Sequence, residues 1–154
     1  LQLSGNFSWM DARYTRYLGL NPNGTAVVDL SNTAFVYVPE WKYTIAGSYE
    51  LPIPASAGTL TLSADFTWQD EAATGARPKP LPFYYVRPAF ETLNIALSWK
   101  AVLGYQGIDA TAFVTNVTKN TLSNGGFNVY DVLGVWALNS AEPRSAGLRL
   151  TYSF

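Results

Sequence analysis

The segment from Leu148 to Phe154 alternates without a break, with Leu148, Leu150, Tyr152 and Phe154 on one side and Arg149, Thr151 and Ser153 on the other. Successive side chains of a strand point to opposite faces, so a period of two predicts a β-strand with one apolar and one polar face. An exposed edge strand that finishes on an aromatic invites association in water. Such an end is expected where a strand meets a membrane interface.

The same period recurs upstream. Leu1, Leu3, Gly5, Phe7 and Trp9 oppose Gln2, Ser4, Asn6 and Ser8. Trp41, Tyr43, Ile45, Gly47, Tyr49 and Leu51 oppose Lys42, Thr44, Ala46, Ser48 and Glu50. Leu60, Leu62, Ala64, Phe66 and Trp68 oppose Thr61, Ser63, Asp65, Thr67 and Gln69, and Leu93, Ile95, Leu97 and Trp99 oppose Asn94, Ala96, Ser98 and Lys100. The segment from Ile108 to Val117 is less regular, because Phe113 shares a face with Asp109, Thr111 and Thr115. A bulge near Asn116 or an inward Phe would account for it, and the sequence leaves both open. Six strands are therefore predicted, near 1–17, 36–52, 59–70, 88–101, 107–118 and 143–154.

Alternation alone does not say which face meets solvent. Composition does, because charged residues are 14% of the chain against about 25% in a typical soluble domain. Aromatics reach 15%. So few charges leave little to hold a surface in water, and the apolar faces are expected to point to lipid. A charge at mid-bilayer costs about 2–4 kcal/mol, and the predicted apolar faces carry almost none. Trp9, Trp41, Trp68 and Phe90 are expected at an outer aromatic rim, with Tyr49, Trp99, Tyr152 and Phe154 at an inner one.

Connections alternate between long (18–37, 70–87, 118–143) and short (52–58, 104–107), the asymmetry of outer-membrane barrels. The first long loop contains the turn signal Asn21-Pro22-Asn23-Gly24. No apolar run reaches the roughly 18 residues of a transmembrane helix. No leader precedes Leu1, so the chain is expected to be a fragment or a processed piece.

Chemistry is sparse. There is no Cys and no His, and net charge is −1. Thiolate sites, the commonest general base and an electrostatic footprint for nucleic acid are all missing. Neither enzymatic activity nor a cofactor is expected, and Asp70-Glu71 reads as a solvated strand end. Lys42, Glu50, Asp65, Lys100, Asp109 and Arg149 fall on the polar faces. They are expected to satisfy one another and lumen water, the alternative being a substrate path. The stretch from Phe127 to Leu138 is too apolar for an idle loop. Either one of its faces packs on neighbouring loops, or it offers Tyr130, Asp131 and Trp136 to a ligand.

Three motifs carry a resemblance. Pro143-Arg144 leads through Gly147 into the strand ending at Phe154. Phe113-Val114-Thr115-Asn116-Val117-Thr118 precedes it, and Val38-Pro39-Glu40-Trp41-Lys42 runs into Ala46-Gly47-Ser48-Tyr49 further upstream. Together they resemble the carboxy-terminal part of the β-barrel of TonB-dependent outer-membrane receptors. The resemblance implies an all-β, transmembrane antiparallel barrel segment of about six strands, part of a larger, 22-stranded barrel in a Gram-negative outer membrane. It implies TonB-driven uptake of a scarce nutrient, of the ferric siderophore, cobalamin or oligosaccharide class. The plug domain, and TonB contact through it, are absent from these residues. It further implies that the barrel assembly machinery recognises Gly147, Leu150, Tyr152 and Phe154. Six strands do not close alone, so the remaining barrel or another barrel chain is an expected partner. Two other classes stand beside this one: a split-barrel assembly subunit, and a soluble β-sandwich that binds carbohydrate.

Overall fold

A computed structural model of the chain describes residues 1–21 and 24–154, with the side chains of Asn124 and Asp131 excepted. Pro22 and Asn23 of the expected turn lie outside the described residues. The elements in order are β1 (Gln2–Trp9), β2 (Leu18–Leu20), β3 (Val27–Asp29), β4 (Trp41–Leu51), β5 (Thr59–Gln69), β6 (Ala72–Ala73), β7 (Val86–Arg87) and β8 (Phe90–Lys100). They continue with β9 (Ile108–Thr115), β10 (Leu122–Val129), the single helical turn α1 (Tyr130–Leu133), β11 (Val135–Ser140) and β12 (Ser145–Tyr152). The protein is all-β. Its main body is a six-stranded antiparallel sheet in the order β1-β4-β5-β8-β9-β12.

These six are the strands predicted from alternation, all of them shorter than expected and β1 and β4 the most. β1 ends at Trp9, because the chain then turns away: Tyr14 stacks on Phe35 at 4.3 Å and the Tyr17 N–H bonds Ser31 Oγ. β4 begins at Trp41, because Tyr37 holds a left-handed φ of 57° and gives its N–H to Ala73 O. The three long connections are built rather than idle, each containing a two-stranded ribbon: β2–β3, β6–β7 and β10–β11.

Register sorts the side chains onto two faces. One row crosses all six strands as Leu3, Gly47, Ala64, Ile95, Val114 and Ala146. The next crosses as Gln2, Ser48, Ser63, Ala96, Phe113 and Gly147. Successive rows alternate between mostly apolar and mostly polar, as cross-strand pairing of alternating sequences requires. β9 meets β12 through eight consecutive pairs with no shift. Phe113 therefore lies on the polar face, and no bulge is involved. Asn116 sits just past the strand at φ 50° and stops it. Its side chain bonds Asn120 O and Glu142 O, and accepts the Asn120 N–H.

Parity also corrects the expected aromatic rim. Trp9, Trp41 and Trp68 gather on the apolar face, with Trp9 and Trp41 at 6.1 Å and Tyr43 and Trp68 at 5.4 Å. Phe90 does not join them. It pairs with Gln69 on the polar face, and Glu91 takes the apolar-face position opposite Trp68.

The sheet itself has no core. Leu148, Leu150 and Tyr152 are 67%, 70% and 70% exposed, and Ile45, Leu62 and Leu97 are exposed beside them. The buried residues collect instead among the long connections: Thr33, Ala34, Ala72, Ala73, Thr74, Tyr85, Arg87 and Asn116, with Gln69 at the adjoining end of β5.

Candidate functional site: the polar face and the loop layer

Serine, threonine and asparagine tile the polar face. Their side chains join across strands, Thr44 to Thr67 at 2.9 Å, Ser98 to Thr111 at 3.3 Å and Thr115 to Ser145 at 2.7 Å. Asn94 links two levels: its Nδ2 donates to Asp65 at 2.8 Å, and its Oδ1 accepts the Asn116 N–H. A hollow of about 400 Å³ lies here, lined by Gln2, Ser4, Ser48, Ser63, Asp65, Asn94 and Phe113 among others. Such a wall offers neutral donors and acceptors to water, to a hydroxylated ligand or to a polar segment.

Lys42, Glu50, Asp65, Lys100, Asp109 and Arg149 share this face, but they do not satisfy one another. Among the described residues the one ion pair joins Arg13 to Asp11, outside the sheet. Register explains the separation. Lys42 faces Gln69, Glu50 faces Thr61, Lys100 faces Thr59 and Arg149 faces Thr111, so each charge meets an amide or a hydroxyl. Asp65 is met by Asn94, and Asp109 accepts the Ala101 N–H at 3.0 Å.

At the long-loop end the connections lock together. Val36 bridges to Ala73 and Thr33 to Pro78, while Asn32 and Lys79 exchange bonds in both directions. Arg87, 0% exposed, is the anchor. Its Nη1 donates to Pro88 O at 2.9 Å, its Nη2 donates to Asp70 O at 2.8 Å, and its guanidinium lies 4.7 Å from the Phe90 ring centre. Burial pushes its pKa below the ordinary arginine value, opposed by nearby Tyr37 and Asp70. Among the described residues no carboxylate bonds it, so backbone carbonyls and a ring face carry the cation. Arg87 Nε and Tyr37 Oη are both buried without a protein hydrogen-bond partner.

The β10–β11 ribbon docks on this layer. Tyr130 stacks on Tyr84 at 4.0 Å and 22°, and Asn128 Nδ2 donates to Tyr84 O at 2.6 Å. Trp136, half-buried, stands opposite Asn128. The side chain of Asp131, the third of the suggested ligand contacts, lies outside the described residues. Val132 and Leu133 at the tip are 81% and 69% exposed. One face of this apolar stretch is thus packed on a neighbouring loop, and Tyr130 is engaged there. A smaller cleft of about 180 Å³ between the first two long loops is bordered by Asp11, Glu40, Glu71 and Lys79.

Gly147, Leu150, Tyr152 and Phe154 do not form one surface. Gly147 belongs to the polar row of Phe113, whereas Leu150 and Tyr152 pair with Ala110 and Ile108 on the apolar face. Sequence reading passed over Arg87, Tyr84 and Asn128. For Tyr84 and Arg87 the one local signal is the run Phe83-Tyr84-Tyr85-Val86-Arg87-Pro88, whose aromatics are dense for a solvated loop. No protein-family model, no curated protein and no solved structure matches this chain.

Proposed function

We propose that this chain is a stretch of the wall of an outer-membrane transport barrel, with the apolar face in lipid and the polar face toward the lumen. The observation that carries the reading is a six-stranded sheet whose apolar face is exposed or half-exposed from edge to edge while its other face is tiled with hydroxyls and amides. In water each exposed Leu or Ile side chain forgoes about 1.5–3 kcal/mol of burial, and continuous patches of this kind mark an interface. Lipid removes that cost. β4, β5 and β8 have eleven residues each, within the roughly 9–11 or more that a tilted strand needs to cross a bilayer. A carbohydrate-binding sandwich would need a second sheet over the apolar face, and among the described residues none covers it.

Both edges, β1 and β12, are unpaired, and open edges are not tolerated in hydrocarbon. β1 runs toward the long-loop end and β12 away from it, so an even number of further strands completes an antiparallel ring. That parity suits the 22-stranded barrel the terminal motifs suggest. Uptake of a scarce nutrient, energised through TonB by a plug segment, rests on those motifs; the neutral lining suits passage of a polar solute.

The test is expression of the full gene product in a Gram-negative host. The expected product stays in outer-membrane fractions through alkaline and urea washes and changes gel mobility on heating. A protein that stays soluble and monodisperse without detergent overturns the membrane reading. Nutrient uptake that persists without TonB overturns the transport class alone.

A further inference from the structure

We infer that Phe113 and Gly147 form a key that sets the register of β12 on β9. In their shared row every neighbour on the inner strands is small: Ser48, Ser63 and Ala96. The Phe113 ring leans the other way, across β12. A Cβ added at Gly147 would stand 2.6 Å from Phe113 Cζ and 3.0 Å from its Cε1. Ring and missing side chain thus occupy one place. Gly147 is the one glycine in β12.

The consequence follows from strand geometry. A slip of one residue turns Leu148, Leu150 and Tyr152 onto the polar face, so alternation already forbids odd slips. A slip of two keeps both faces intact, and the alternating pattern of β12 does nothing to oppose it. Such a slip brings Ser145 or Arg149 opposite Phe113, and either carries a Cβ into the space the ring fills. Phe113 and Gly147 therefore exclude the even slips that parity permits. Among the described residues β9 is the one strand that pairs with β12, so no second neighbour there helps to fix its register. An aromatic laid over a glycine near a sheet edge is a recognised means of pinning register. The key acts whatever medium meets the apolar face, so it stands or falls separately from the membrane reading.

The chain has no cysteine, which makes disulfide trapping clean. The full gene product carries Thr111→Cys with either Arg149→Cys, the native pair, or Thr151→Cys, the pair of a two-residue slip. In the parent the native pair should cross-link in preference. Gly147→Ala should lower that preference by about fivefold, although alanine suits a strand better than glycine does. In a Phe113→Ala background the same substitution should change it by less than about twofold. An effect of Gly147→Ala that is equal in both backgrounds, or no effect in either, overturns the key. If Gly147→Ala fails to accumulate, the Phe113→Ala, Gly147→Ala double variant decides. Recovery supports the key, and continued failure overturns it.

Discussion

The sheet and the loop layer are held by opposite means. The sheet is regular, with ladders of up to eleven pairs, and yet buries almost nothing. The loop layer has ribbons of only two to eight residues per strand, and nearly every tightly buried side chain of the protein. In the sheet, order comes from backbone pairing and from the period of two, and the medium on either side completes it. In the loops, order comes from particular contacts: Arg87 against carbonyls and the Phe90 ring, Tyr85 packed over Gly75, Tyr130 on Tyr84. A residue in the sheet can therefore be exchanged within its polarity class. A residue in the loop core has fewer substitutes.

That contrast can be broken most forcefully at Leu150. Arginine there should oppose insertion by about 2–4 kcal/mol, whereas arginine at neighbouring Thr151 should cost well under half as much. The assembled, heat-modifiable fraction in outer membranes reads this, and equal tolerance at both positions would remove the assignment of faces.

Next in size is Arg87→Ala. It strips Asp70 O and Pro88 O of their donor; Asp70 is half-buried and Pro88 exposed, so the cost should be about 1–3 kcal/mol in total. The expected result is local. Limited proteolysis should open sites in 70–88 and in the β10–β11 ribbon, while the sheet keeps its heat-modifiability. Loss of both together would mean that the two regions are one cooperative unit.

A smaller effect is expected from Tyr84→Ala, which removes the stacked partner of Tyr130. It should cost about 1 kcal/mol and raise proteolysis at the α1 tip alone.

The smallest concerns Asp11. Its hydrogen bonds from Arg13, followed by the attraction of that charge, hold its carboxyl below the ordinary 3.8. A depressed acid stabilises the folded form above its ordinary pKa, and the contribution fades as pH falls through the lower folded value. This pair is exposed on the surface. Asp11→Asn should therefore leave proteolysis of the first loop unchanged between about pH 7 and pH 5.

Alternation along the chain determined the existence of the six long strands and the face of most of their side chains. Phe90, expected at the outer rim on aromatic type alone, is the exception: the register puts it on the polar face and Glu91 opposite Trp68. The physical reason is that a strand's side-chain period is set by the backbone and needs no knowledge of the neighbour. Low charge raised the expectation that the apolar face is not built for water. Tertiary structure decided what depends on the partner across a gap. Phe113 looked like an irregularity of its own strand until β12 brought Gly147 under its ring. Beyond the aromatic run that precedes it, Arg87 carried no local mark of burial, because one of its two carbonyl acceptors, Asp70 O, stands 17 residues away. The polar-face charges looked able to pair, and the register set each beside an amide or hydroxyl instead. Period is a property of one segment, whereas burial and pairing belong to two or more, and the chain must fold before they exist.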